Sequence, residues 1–162
     1  MTEIRFYHLT RTSLDRALPE LLEKCYARGW RSVVLTSSDQ RVEQLDDHLW
    51  TYDKDDFSKA SFLPHGSARD GHPEDQPIWV TAQDENPNGA TVLFLTAGMI
   101  SNHIGDFTLV CDLFDGRDPQ AVAAARDRWR AAKQAGHTLA YWQQGDTGGW
   151  QEKQREEGKV SV

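Results

Sequence analysis

A chain of 162 residues with 38% hydrophobic and 27% charged side chains has the size and make-up of one globular domain, not of a disordered segment. No apolar run approaches the roughly 20 residues needed to span a bilayer, and the first residues lack a signal peptide's basic and apolar stretches, so a cytoplasmic protein with no membrane contact is expected. Twenty-five acidic against 18 basic residues leave a net charge of −7, which argues against a broad DNA-gripping surface, because phosphate neutralisation needs clustered Lys and Arg.

Residues 4–9 read as a short strand carrying Phe6 and Tyr7. Leu14, Ala17, Leu18, Leu21, Leu22, Cys25 and Tyr26 then recur at helical spacing, and Gly29 ends that helix with a left-handed cap. The run 32–36 (SVVLT) is rich in β-branched and apolar residues, as expected of a strand covered on both faces. Ser37 and Ser38 can cap a second helix with apolar positions Val42, Leu45 and Leu49. Residues 53–76 are mostly polar, Gly and Pro, and read as a long surface connection. Strands follow at 77–82 and 90–97, separated by the turn signal NPNG at 86–89, and another at 107–113. Asp118 then caps a third helix with Pro119 in its first position, and Gly136 stops it. A last strand-like piece covers 137–142.

This order implies an α/β domain over residues 1–144, a three-layer fold with a mostly parallel central sheet flanked by helices. Residues 145–162 read as a polar, mobile C-terminal tail. Cys25 and Cys111 fall on apolar faces and read as buried small hydrophobes, not as a disulfide or metal ligands.

Such a sheet invites a nucleotide, but the first strand–helix turn, 8–13 (HLTRTS), has no glycine for close approach to a pyrophosphate, and no phosphate loop occurs. The six histidines show no zinc spacing, and there is no nucleophile elbow. No cofactor and no catalytic site are expected. One alternative remains: a small α/β nucleotide- or metal-dependent enzyme using Asp112 and Asp115 at a strand's carboxyl end. Against it stands the plainer reading of those residues as turn formers.

Two places suggest recognition instead. On the third helix Arg126, Trp129, Arg130 and Lys133 fall at i, i+3, i+4 and i+7, beside an apolar stripe of Val122, Ala125, Trp129 and Ala132. An aromatic flanked by guanidinium groups suits a short acidic peptide with an apolar anchor; the alternative is a core-edge tryptophan with solvated arginines. The second place joins Trp50 and Tyr52 to the stretch SFLPHG at 61–66, with Phe62 and Pro64, either as a protein interface or as a lid on the core.

Several segments taken in order resemble the chi family of DNA polymerase III: FYHL at 6–9, LLEKCYARGWR at 21–31, RVEQLDDHLW at 41–50 and SFLPHG at 61–66. QPI at 76–78, FDG at 114–116, AARDRW at 124–129 and the Ala135-Gly136 pair continue the match, which covers roughly residues 4–144. The resemblance implies a Rossmann-like fold without nucleotide binding. It also implies an accessory role, in which the family joins the clamp loader to single-stranded DNA-binding protein by holding that protein's acidic C-terminal tail, which ends in Pro-Phe. DNA is then contacted only through the partner. The family's tail pocket maps onto Arg126, Trp129 and Arg130, with Phe114 and Val122 beside them. Val122 stands where the family can carry a lysine, so one ionic contact is lost. Trp50, Phe62 and Pro64 match positions that contact the psi subunit or, alternatively, a helicase. Residues after Gln144 extend past the family's usual end.

Overall fold

The computed structural model describes residues 2–51, 63–146 and 149–158. Seven strands run parallel: β1 (Glu3–Leu9), β2 (Ser32–Leu35), β3 (Gly66–Ser67), β4 (Ile78–Thr81), β5 (Val92–Leu95), β6 (Leu109–Asp115) and β7 (Thr138–Gln144). An eighth, β8 (Trp150–Glu156), adds antiparallel to β7, giving the order β3-β4-β2-β5-β6-β1-β7-β8. Three helices cover the sheet: α1 (Leu14–Ala27), α2 (Asp39–Thr51) and α3 (Pro119–Gln134). The arrangement is the three-layer α/β fold that the order of elements implies.

Burial follows the residue pattern. All four residues of each of β2, β4 and β5 are buried, as a parallel sheet covered on both sides requires. One face carries Tyr7, Leu9, Val34 and Phe94 against Leu18, Leu22 and Leu45 of α1 and α2. The other carries Ile4, Phe6, Val33, Val110 and Leu139 against Ala125 and Ala132 of α3. Gly29 takes φ +75° just past α1, where a side chain would be strained. Cys25 and Cys111 are free and buried, and burial pushes both thiols up.

One connection and two departures from the sequence reading stand out. The NPNG turn joins β4 and β5, yet these strands do not pair with each other; they flank β2 on either side. Asn88 holds that helix-free crossing, its buried amide donating to the Ser32 and Gln76 carbonyls at 3.1 and 3.0 Å. The stretch expected to be structureless up to residue 76 contains β3 and a short 3-10 turn at Pro73–Asp75. Finally, β8 runs through the segment that composition assigns to a tail. An edge strand is held by main-chain bonds, so it lacks the apolar alternation that marks a strand in sequence. Trp150 anchors its start against Tyr7, ring centroids 5.0 Å apart.

Candidate functional site

Helix α3 starts where Asp118 accepts a hydrogen bond from the Gln120 amide at 3.0 Å, with Pro119 following it. Its buried residues are only alanines, Ala125 and Ala132, so the helix lies close on the sheet there. The larger Val122 and Trp129 sit half-buried at the flank. Parallel register brings three aromatics from three strands beneath that flank: Phe6 is level with Tyr141, and His8 with Phe114. The result is a cleft of about 330 Å³ lined by Phe6, Phe114, Val122, Trp129 and Tyr141, with exposed Arg126 and Gln154 at its rim.

The walls pack against one another. Trp129 meets Phe6 at 5.3 Å and 60°, and Tyr141 edge-on at 6.2 Å and 74°. His8 contacts Phe114 at 5.2 Å, and its Nδ1 meets the Tyr141 hydroxyl. Gly116 permits this: a Cβ there would overlap the His8 ring and come within 2.9 Å of the Leu9 carbonyl oxygen. The glycine of FDG thus answers to close approach.

The electrostatics favour an anion. Among the described residues Arg126 has no ion pair, whereas Arg130 holds Asp127 at 3.0 Å and Lys133 holds Glu156 at 3.1 Å. Burial depresses the His8 imidazolium, and the charge of Arg126 depresses it further, partly offset by the Gly116 main chain and Asp115. Burial raises the Tyr141 phenol, against the pull of Arg126.

Arg128, two residues on, turns away. It forks onto Asp112, Nε to Oδ2 at 2.6 Å and Nη2 to Oδ1 at 3.0 Å, and both side chains are nearly enclosed. Asp115 is exposed and bonds the Arg117 amide at 2.9 Å. Three residues apart on β6, the two carboxylates point to opposite faces and do not meet on one cation. A larger crevice of about 560 Å³ opens at the carboxyl ends of β1 and β6. Its arginines are already committed: Arg41 to Asp15, Arg117 to Asp115 and Arg128 to Asp112.

The second aromatic place is a separate surface. Trp50 is 52% exposed, so it does not close the core, and its ring lies 4.2 Å from that of His65. His65, expected in a solvated loop, is buried: its Nδ1 lies 2.8 Å from the Leu63 carbonyl oxygen and its Nε2 3.0 Å from that of Asp46. Arg69 holds the Asp46 carboxylate from outside at 2.9 Å. Pro64 is half-buried beside this platform, while Tyr52 and Phe62 lie outside the described residues.

The structure therefore brings Arg126, Trp129, Val122 and Phe114 to one cleft, and leaves Arg130 outside its lining. It adds Phe6, Tyr141 and Gln154, which no helical spacing reveals, and sets His8 behind the lining against Phe114 and Tyr141. The one sequence signal for Phe6 and His8 is their two-residue spacing on the first strand, which puts both on a single face.

A mostly parallel α/β domain with an arginine-rimmed, aromatic-walled cleft is the class of protein that fold and geometry define. The family model described as DNA polymerase III chi subunit, HolC, matches residues 1–140, and the chain belongs to that family of polymerase accessory subunits. A similar protein is the probable DNA polymerase III subunit chi of Rickettsia prowazekii (strain Madrid E), 39% identical over 95 residues, or 59% of this chain and 54% of the relative. The match thus spans about half of that relative's length. No described helix is long and apolar enough to cross a membrane.

Proposed function

We propose that this protein is a non-catalytic, cytoplasmic chi subunit of the bacterial DNA polymerase III holoenzyme, and that the α3 cleft holds the acidic C-terminal tail of single-stranded DNA-binding protein. In this role it couples the clamp loader to coated single-stranded DNA during replication and touches DNA only through its partner. The observation that carries the reading is Arg126, an exposed guanidinium with no ion pair among the described residues, at the rim of an aromatic cleft in a chain of net charge −7. A terminal Phe would bury its ring among Phe6, Phe114, Trp129 and Tyr141, while Arg126 takes a carboxylate through two parallel N–H bonds. Arg130 adds long-range attraction from outside the lining.

Trp50 and Pro64 form the surface for the psi subunit and thus the clamp loader, or alternatively for a helicase; Phe62, outside the described residues, joins them on the sequence resemblance alone. A half-exposed tryptophan on a buried His65–Asp46 platform supports that role. The forked Asp112–Arg128 pair is then a fold element, and no cofactor is needed.

The test is titration of a fluorescent peptide ending in Asp-Asp-Asp-Ile-Pro-Phe. Salt-sensitive binding by wild type is expected, weakened about tenfold or more in Arg126→Ala, the range of a charge-assisted hydrogen bond. No salt-sensitive binding by wild type would contradict the reading.

A further inference from the structure

Strand β8 lies beyond residue 140, where the family match stops, yet it contributes Gln154 to the rim of the cleft. Its register has a bulge opposite the Tyr141–Trp142 step: Trp142 pairs with Glu152, but Tyr141 pairs with Gln154, leaving Lys153 as the extra residue. Side chains alternate along a strand, so a one-residue slip exchanges the faces. Were the Trp142–Glu152 register to continue without the bulge, Lys153 would be level with Tyr141 and Arg155 with Leu139, both on the α3 side. With it, that side receives Gln154, level with Tyr141, and Glu156, level with Leu139. Arg155 turns to the opposite face and binds Glu3 at 2.7 Å.

The consequence is a change of charge beside the site, where Lys133 and Glu156 lie outside the cleft's lining. Glu156 reaches Lys133 in the last turn of α3, Nζ to Oε2 at 3.1 Å. Gln154, which lines the cleft, donates to Glu156 Oε1 at 3.2 Å, and its amide has a second N–H to offer. With Arg130 on Asp127 and Lys133 on Glu156, Arg126 is the cation left at the rim. An unbulged strand would have offered an acidic ligand two more positive charges in place of an amide and a carboxylate.

We propose that β8 is a working part of the peptide site and limits its affinity for acidic ligands: Glu156 withholds Lys133, and Gln154 supplies a hydrogen-bonding group at the rim. This rests on the reading of the cleft as an acidic-peptide site. It gives binding that is weak enough to exchange and selective for the ligand's apolar anchor over its charge, since one cation is engaged instead of two.

The experiment uses the full chain and the same peptide, titrated at two salt concentrations against wild type, Glu156→Gln, Glu156→Gln with Lys133→Ala, and Gln154→Ala. Glu156→Gln is expected to tighten binding about two- to fivefold, as release of a partly exposed ion pair allows, and to steepen the salt dependence. Adding Lys133→Ala should cancel that gain. Gln154→Ala should weaken binding about two- to tenfold, the range of one neutral hydrogen bond. Thermal melts of all variants confirm that each is folded. Wild-type binding with Glu156→Gln unchanged in affinity and salt slope overturns the role of β8 alone. No binding by wild type overturns the cleft reading, and this proposal with it.

Discussion

Arg126 and Arg128 stand two positions apart on α3 and differ in almost everything else. Arg128 is enclosed and forked onto buried Asp112, so its charge is spent inside the fold. Arg126 is exposed, has no ion pair among the described residues, and acts on the aromatic cleft, where its field reaches His8 and Tyr141. A turn of some 200° around the helix separates a structural arginine from one free to meet a ligand. Identity and neighbourhood in sequence do not distinguish them; what lies opposite in the sheet does.

The comparison breaks most visibly at the buried pair. Arg128→Ala leaves the Asp112 carboxylate enclosed without its partner, and urea melts should show a loss of about 3–5 kcal/mol, with peptide binding by the remaining folded protein unchanged. Trp129→Ala should cost roughly 2 kcal/mol, less than a fully buried tryptophan because the ring is half-exposed, and should also abolish most peptide binding, read by calorimetry. Arg126→Ala inverts the pattern of Arg128: stability within about 0.5 kcal/mol of wild type, with binding the property that falls.

A pH series sharpens the same contrast from the cleft side. Folding depresses the His8 imidazolium, through burial first and Arg126 second. The stability this contributes is complete above about pH 6.5, the ordinary histidine value, and is lost as pH falls through the lowered folded value. Melting temperatures measured downward from pH 8 should therefore drop less steeply for His8→Asn than for wild type. Smallest of all should be Arg130→Ala, whose exposed pair with Asp127 adds little to stability, so its melt should match wild type while peptide association slows slightly at low salt.

Much of this architecture is legible in the residues, and the limits have physical causes. The apolar run of β2 and the spacing of Leu18, Leu22 and Leu45 report local periodicity, which is what a strand or helix imposes on sequence. Asp118, Pro119 and Gly136 mark the ends of α3 through backbone requirements that few residues meet. The helix half of the cleft, Val122, Arg126 and Trp129, follows from that periodicity. Its sheet half does not, because Phe6, Phe114 and Tyr141 converge only through pairing of strands distant in the chain. Likewise β8 hides in polar composition, and His65 reads as a loop residue until α2 brings Asp46 against it.

The most direct test of the central claim uses the indole N–H signals of the six tryptophans in an amide and indole NMR titration with the acidic, Phe-ending peptide. The Trp129 indole and the amides around Arg126, Tyr141 and Gln154 are expected to shift, while Trp50 and the His65 platform stay in place. Shifts centred on Trp50, with Trp129 unmoved, would contradict it.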